Sequence, residues 1–282
     1  MSLGQTIEVG LEGVLARAAG APPRLVAAMR HAVFPAGGRV RPRLCLRVAE
    51  ACASPTPTLA VSAAVSVELL HCASLVHDDL PAFDDAPLRR GRPSLHRAHG
   101  EPLAILAGDA LIVMAFEELA QTPSPHLAAT LLSVARGVGV PHGIIAGQAW
   151  EGEPCVDLRA YHRKTAALFE AAVGAGAAAC GDDPARWLPL GARLGEAWQV
   201  ADDLADALAT PELLGKPVGQ DAARLRPSAV TELGVDVAAE RWRRLVRAAA
   251  DAVPPCRGRD ALREWIVRAM TAAPAAAVAA SA

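Results

Sequence analysis

Four aspartates lie within eight residues of one another, directly after a long apolar stretch. That stretch covers residues 59–76 and is interrupted only by Glu68. Clustered carboxylates repel one another, so a folded chain that assembles them needs a compensating cation. Mg²⁺ prefers oxygen ligands and often shares them with a substrate phosphate. Arg89 and Arg90 follow closely and are suited to hold such an anion. The four residues are Asp78, Asp79, Asp84 and Asp85.

A second acidic cluster separates this pattern from an ordinary solvated helix end, which is the commoner origin of an isolated Asp-Asp pair. Asp202, Asp203 and Asp206 lie in another apolar helical stretch. Asp202 and Asp206 are four residues apart and project from one helical face, with Cβ atoms about 5–6 Å apart. Gln199 precedes them on the same stripe. Two such helices could face each other across a cleft and bind metal between them.

Composition favours a helical protein with a large core. The chain has 282 residues, of which 52% are hydrophobic and only 4% aromatic. Alanine and leucine dominate, which favours helix. No alternating strand pattern, internal repeat or linker is present, so we expect one all-α domain over residues 1–282, a helical bundle around a central cavity. The net charge of −2 does not indicate the basic surface that is typical of nucleic-acid-binding proteins.

Helical periodicity and its breaks predict the element order. The long helix that carries the first aspartates should end or kink at Pro81, which lacks a backbone donor. The stretch 210–227 reads as a loop that contains Lys216, and the alanine-rich C-terminal tail as frayed. The predicted helices cover about residues 3–19, 23–33, 43–52, 58–80, 102–119, 125–150, 157–180, 184–209, 236–253 and 259–270.

Several features favour a cytoplasmic protein without a membrane anchor. The six cysteines are scattered and show no Cys-x-x-Cys spacing, which indicates reduced, mostly buried thiols. The first residues lack the basic and apolar regions of a secretory signal. We expect no apolar stretch of the roughly 18 residues that a membrane span requires, because Asp109 and Glu170 interrupt the best candidates.

The motifs together resemble the all-trans polyprenyl diphosphate synthases, head-to-tail prenyltransferases of the isoprenoid synthase type I fold. The two aspartate-rich motifs of that family match Asp78-Asp79-Leu-Pro-Ala-Phe-Asp84-Asp85 and Asp202-Asp203-Leu-Ala-Asp206. Further family motifs match residues 105–110, 164–165 and 215–221, and the resemblance covers roughly residues 25–230. Residues 71–84 and 146–151 look most similar to geranylgeranyl diphosphate synthases of bacterial carotenoid pathways.

The resemblance implies a reaction between isopentenyl diphosphate and an allylic diphosphate, with Mg²⁺ as cofactor and pyrophosphate released. That pyrophosphate is the implied base, so no protein base is expected. The resemblance implies six metal ligands that are also catalytic residues: Asp78, Asp79, Asp84, Asp202, Asp203 and Asp206. The implied allylic-diphosphate contacts are Arg89, Lys164 and Lys216. The implied isopentenyl-diphosphate contacts are Arg41, His71 and Arg90. Thr165 and Gln199 are implied to present neutral oxygen dipoles to the developing cation. Asp84 is preferred to Asp85 on the motif match alone.

The resemblance also bears on product length and assembly. In the family, an aromatic residue at the position of Ala73 closes the product pocket early. Small residues at Ala73 and Ser74 therefore imply a product longer than fifteen carbons, most plausibly twenty; a farnesyl or longer-chain synthase is the alternative. Family members are usually homodimers, and the same is expected here.

One departure from the family pattern keeps other functions open. The usual Gly-Gly-Lys-Arg-x-Arg-Pro motif reads Ala36-Gly37-Gly38-Arg39-Val-Arg41-Pro42, so Gly38 stands where a lysine binds isopentenyl diphosphate. Arg39 or Arg43 is a candidate substitute. A class I terpene cyclase usually replaces the second aspartate cluster, and a non-catalytic partner subunit loses the aspartates. This chain retains both clusters, which favours the prenyl elongase.

Overall fold

The computed structural model describes residues 1–34, 37–53, 56–153, 158–208 and 228–278, with the backbone alone at 158–163 and 272–278. These residues form a helical bundle, which confirms the predicted all-α fold. Its helices are α1 (Leu3–Ala16), α2 (Pro23–Val33), α3 (Val40–Cys52), α4 (Thr58–Asp78), α5 (Leu95–His99), α6 (Glu101–Ala120), α7 (Leu127–Val138), α8 (Ile144–Trp150), α9 (Leu158–Ala178), α10 (Leu188–Leu208), α11 (Ala229–Leu233), α12 (Val235–Asp251) and α13 (Arg259–Val278).

The central helix α4 is buried on nearly every side. Many of its own side chains are small, so α3, α6 and α9 can all pack closely against it. By length and composition it could cross a membrane, but 83% of its most apolar window is buried inside the fold. The prediction that no apolar stretch reaches membrane length is therefore wrong. A core helix packed on all sides needs the same apolar surface as a membrane-spanning one.

A short β-hairpin follows α4 and was not predicted. α4 ends at Asp78, three residues before Pro81, as the missing proline donor requires. β1 (Leu88–Arg89) then pairs antiparallel with β2 (Arg92–Pro93). The connecting residues Arg90 and Gly91 have φ of 52° and 73°, the sign that a tight two-residue hairpin turn demands. Strands of two residues are too short to show an alternating pattern.

Other predicted boundaries also differ from the structure. The single helix expected over 125–150 is two helices, α7 and α8, because Gly139, Pro141 and Gly143 interrupt the backbone ladder. The last helix continues through the alanine-rich segment to Val278, beyond its predicted end at residue 270, as alanine's helix propensity allows. Residues 184–186 form a 3-10 turn before α10.

Helix α9 lies between the helices that carry the two acidic clusters. Glycines on its neighbours permit close approach of the backbones. A Cβ added at Gly147 of α8 would lie 2.5 Å from Lys164 Cα. A Cβ added at Gly195 of α10 would lie 2.3 Å from Ala166 Cα. Both distances are too short for real atoms, so glycine is required at each crossing. The close packing brings Lys164 and Thr165 within reach of α4 and α10.

Candidate active site

The first acidic cluster begins at the buried C-terminus of α4. Lys164 Nζ lies 2.9 and 3.1 Å from the two carboxylate oxygens of Asp78, and it also donates to Glu151 at 3.0 Å. Gln148 Nε2 approaches Asp78 Oδ1 at 3.3 Å and donates to the Ser74 carbonyl at 3.2 Å. Burial opposes the charge on Lys164, but the two carboxylates together raise its pKa. Asp78 is therefore paired with a cation that stays protonated.

Asp79 is paired with the first arginine of the hairpin. Arg89 Nε lies 3.0 and 3.1 Å from the Asp79 carboxylate oxygens, and Arg89 Nη2 donates to Oδ1 as well. Only 2% of Asp79 is exposed. Burial raises the pKa of this carboxyl, and Arg89 opposes that rise. An unpaired charge on a carboxylate as buried as that of Asp79 would be costly, so Arg89 serves as the counter-ion of Asp79.

The remaining aspartates of the first motif lie in the loop after α4. Asp84 is half-buried and Asp85 is exposed. The carboxylate of Asp85 accepts a hydrogen bond from Arg97 of α5 at 2.8 Å. The sequence left open which of the two aspartates is the third metal ligand, and the structure engages Asp85 elsewhere.

Among the described residues, two neutral groups hold the buried aspartate of the second cluster. Asp203 is buried; its Oδ1 accepts from Gln199 Nε2 at 2.9 Å and its Oδ2 from the Ala229 backbone N–H at 2.7 Å. Burial raises the pKa of the Asp203 carboxyl, and these donors oppose the rise. Asp202 is exposed and Asp206 half-buried on the same helix. The Ala229 contact ties α10 to the start of α11.

Polar contacts connect each acidic cluster to one of two neighbouring residues of α9. Thr165 Oγ1 donates to Gln199 Oε1 at 2.8 Å, and Gln199 in turn donates to Asp203. Lys164, the neighbouring residue, binds Asp78. Consecutive helical residues point about 100° apart, so α9 presents one side chain to α4 and the next to α10. Both acidic clusters therefore lie at the same end of α9.

A group of partly buried basic side chains lies beside the first cluster. The Arg41 guanidinium stacks over the Phe169 ring at 4.7 Å, and its Nη1 lies 3.4 Å from His71 Nε2. Arg41 Nε, His71 Nδ1 and Arg90 Nη1 are buried without a hydrogen-bond partner among the described residues. Burial and then the neighbouring arginines lower the pKa of His71 well below its usual value. Burial also lowers the pKa of Arg41, to about 10. His71 is thus neutral, and an anion bound here could satisfy these buried donors.

The loop that lacks the family lysine does not replace it with Arg39. Arg39 is only 4% exposed and is engaged in ion pairs with Glu68 at 2.5 Å and Glu8 at 2.9 Å. Arg43 is exposed on α3. A Cβ on Gly37 would lie 3.0 Å from the Arg90 guanidinium, so this glycine makes room for Arg90.

Comparison with known proteins agrees with this arrangement. A family model described as polyprenyl synthetase matches residues 22–255. The chain belongs to the polyprenyl synthetase family. It is 52% identical over 274 residues to a geranylgeranyl diphosphate synthase of Cereibacter sphaeroides, covering 95% of both chains. It is 36% identical over 231 residues to a farnesyl diphosphate synthase of Geobacillus stearothermophilus, covering 77% of both.

Solved structures of this family have the same fold. A geranyltransferase of Helicobacter pylori complexed with magnesium and isoprenyl diphosphate superposes with a TM-score of 0.76 at 27% identity. The match covers 96% of this chain and 97% of that one. The predicted family, isoprenoid synthase fold and prenyltransferase activity are thereby confirmed.

Two residues that contact the first cluster were not predicted as family site residues. Gln148 and Glu151 are three residues apart at the end of α8 and meet Asp78 and Lys164. Their i, i+3 spacing in an otherwise apolar segment was the available signal. Lys216 lies outside the described residues. Ala73 and Ser74 are buried in α4, about one turn before Asp78.

The carboxylates suit magnesium but do not form a complete cage. Among the residues that the structure describes, no three His, Cys, Asp or Glu side chains converge to hold a metal ion by themselves. The physical reason is visible at Asp78 and Asp79, whose oxygens face Lys164 and Arg89. Oxygen-only donors fit Mg²⁺, which commonly completes its shell with substrate phosphates and water.

Proposed function

We propose that this member of the polyprenyl synthetase family condenses isopentenyl diphosphate with an allylic diphosphate and forms geranylgeranyl diphosphate. The observation that carries the proposal is that two neighbouring residues of α9 connect to the two acidic clusters, Lys164 to Asp78 directly and Thr165 to Asp203 through Gln199. Basic groups with unmet donors lie beside the first cluster. The 52% identity to a geranylgeranyl diphosphate synthase supports the product.

Substrate binding in this proposal is an exchange of ionic partners. Lys164 and Arg89 neutralise Asp78 and Asp79. A magnesium diphosphate can replace both members of each ion pair, because its anion attracts the basic side chains and its metal attracts the carboxylates. Neither half alone can make the exchange without leaving a buried charge unpaired, which is costly. Metal and diphosphate should therefore bind cooperatively.

The allylic carbon–oxygen bond then breaks, and the positively charged side chains stabilise the departing pyrophosphate. Preorganised charges in a partly buried site are effective for this purpose. Lys164 and Arg89 supply them, with Lys216 of the undescribed loop proposed as a third. Bound magnesium would add Lewis-acid stabilisation through the six proposed aspartates. Thr165 and Gln199 present oxygen dipoles to the resulting allyl cation.

The second substrate occupies the basic group beside α4. Arg41, Arg90 and neutral His71 donate to the diphosphate of isopentenyl diphosphate and satisfy their unmet donors. The isopentenyl double bond forms the new carbon–carbon bond to the cation, and one proton passes to the released pyrophosphate. With Gly38 in place of the lysine, these three residues are the proposed contacts that remain, and Gly37 makes room for Arg90.

The proposed chain length depends on the small buried residues of α4 below Asp78. Ala73 is only 1% exposed, so a larger side chain there must project into neighbouring space. We expect Ala73→Phe to shorten the product from twenty to fifteen carbons, as chromatography of the dephosphorylated products would show. Val61→Phe on the same helix is a control outside the site. An unchanged distribution in Ala73→Phe would contradict this role.

We also propose that the enzyme is a homodimer. Helix α6 presents an apolar stripe in which Leu106 and Val113, seven residues apart and hence on one face, are 53% and 66% exposed. Ile105 extends it at 45%. Contiguous exposed apolar surface of this kind is typical of protein interfaces. Sedimentation at micromolar concentration would test this assembly.

The cellular setting is a further part of the proposal. We place the enzyme in the cytoplasm, where it supplies geranylgeranyl diphosphate to carotenoid synthesis. The support is the likeness of residues 71–84 to carotenoid-pathway synthases. Cell fractionation and pigment analysis of a deletion strain would test the two statements separately.

One assay separates the proposed reaction from its alternatives. Purified protein is incubated with Mg²⁺, radiolabelled isopentenyl diphosphate and dimethylallyl, geranyl or farnesyl diphosphate. We expect label in an extractable twenty-carbon prenyl diphosphate. A fifteen-carbon or longer product would indicate the farnesyl or longer-chain synthase instead. A cyclic hydrocarbon formed without label would indicate a terpene cyclase, and no product with any primer would indicate a non-catalytic partner.

A further inference from the structure

Asp85 adopts a backbone conformation that few residues other than glycine adopt. Its φ is +41°, in the left-handed region, which aspartate and asparagine tolerate better than other side chains. The loop around it folds back over the end of α4. Asp84 N–H donates to the Asp78 carbonyl at 2.9 Å, and Ala86 N–H to the Asp79 carbonyl at 3.2 Å. The turn at Asp85 therefore fixes where Asp84 stands relative to the first two aspartates.

Helix α5 fastens this turn from outside. Arg97 Nη2 donates to Asp85 Oδ1 at 2.8 Å, and His96 Nε2 lies 3.4 Å from the same oxygen. His96 is 6% exposed, and Ser94 Oγ lies 3.1 Å from its other ring nitrogen. Buried His96 Nε2 has no hydrogen-bond partner among the described residues. The imidazole therefore lies near Asp85 Oδ1 without donating a hydrogen bond to it.

We propose that Asp85, His96 and Arg97 form a strap that positions Asp84, and that Asp85 is a positioning residue and not a metal ligand. This inference rests on the proposed function of the first aspartate motif. Asp78 and Asp79 are paired with Lys164 and Arg89, which the proposed reaction transfers to a diphosphate. Arg97 has no such second partner in the proposal. The strap therefore remains closed while the inner ion pairs exchange.

The two possible roles of Asp85 predict opposite effects of removing Arg97. If the strap positions Asp84, Arg97→Gln loosens the turn and raises the Mg²⁺ concentration needed for half-maximal activity. Supporting groups around a metal site typically change metal affinity by about tenfold or more. If Asp85 is itself a ligand, Arg97→Gln frees its carboxylate and lowers that concentration.

A double-mutant cycle tests the strap. We expect Asp85→Asn and Arg97→Gln each to raise the half-activating Mg²⁺ concentration about tenfold, and the double variant to be no worse than either. Arg97→Lys should restore part of the loss. Arg92→Gln, which removes an exposed hairpin arginine that donates to the Phe34 carbonyl, is the matched control and should resemble wild type.

Other results would overturn the strap. Additive losses in the double variant, or a lower Mg²⁺ requirement in Arg97→Gln, would identify Asp85 as a ligand. A fall in melting temperature with an unchanged Mg²⁺ requirement would reduce the contact to a structural one. Inactivity of the wild-type protein would count against the proposed function. In that case the strap can still be tested by Mn²⁺ binding in the presence of pyrophosphate, measured by electron paramagnetic resonance. The proteins compared are the wild type, Asp85→Asn, Arg97→Gln and the double variant.

Discussion

The two acidic clusters look equivalent in sequence but are held differently in the fold. In the first, Asp78 and Asp79 are neutralised by Lys164 and Arg89. In the second, buried Asp203 is held by the amide of Gln199 and a backbone N–H. Charged partners can transfer to a charged ligand, whereas a backbone donor is fixed in place. The first cluster is therefore built for exchange, and the second is also part of the packing between α10 and α11.

The largest expected effect comes from removing a charge in the first cluster. Asp78→Asn should lower kcat/KM by about 10²–10³-fold, the size seen when one group that stabilises developing charge is lost. Steady-state kinetics at saturating Mg²⁺ measures this. Asp251→Asn, which breaks a surface ion pair with Arg263, is the control and should stay near wild type. Equal activity of the two variants would remove Asp78 from the site.

The proposed exchange of ionic partners predicts that replacing Lys164 has opposite effects on substrate binding and on metal binding. Lys164→Gln should raise KM for the allylic diphosphate about 10–100-fold, since a charge-assisted hydrogen bond contributes about 1.5–3 kcal/mol. The same variant should bind Mn²⁺ alone more tightly than wild type, because Asp78 loses its competing cation. Titration calorimetry checks the second part. Weaker Mn²⁺ binding would mean that Lys164 supports the metal site instead of competing for it.

The smallest effect concerns stability and distinguishes the second cluster. Asp203→Ala should lower the free energy of unfolding by about 1–3 kcal/mol, because the Ala229 N–H and Gln199 lose their buried acceptor. Urea unfolding followed by circular dichroism measures this. Asp260→Ala on the surface of α13 is the control. If Asp203→Ala is as stable as that control, the contrast between the clusters fails.

Much of the fold could be predicted because strong local signals set it. Pro23 and Pro81 marked helix boundaries, and apolar periodicity located α4, α6 and α10. The two acidic motifs could be placed on different helices before their proximity was known. Shorter elements without periodicity escaped prediction, including the hairpin and α5, which supply Arg89 and Arg97 to the first motif.

Contacts within the site depended on packing that the sequence does not show. Arg39 and Arg41 are two residues apart, yet Arg39 enters a buried ion pair with Glu68 while Arg41 lies beside His71. The left-handed conformation of Arg39 at the start of α3 sets that direction. Gln148 reaches Asp78 only because α8 approaches α9 closely at a glycine, which periodicity cannot reveal.

The exchange of partners can be tested most directly by a crystal structure with Mg²⁺ and an unreactive allylic diphosphate analogue. In the structure described above, Lys164 Nζ lies 2.9 Å from Asp78 Oδ1 and the Ala229 nitrogen lies 2.7 Å from Asp203 Oδ2. We predict that Lys164 moves beyond hydrogen-bond range, about 3.5 Å, from Asp78 and binds the diphosphate, while the Asp203 contact persists. A bound metal and diphosphate with Lys164 still paired to Asp78 would contradict the account.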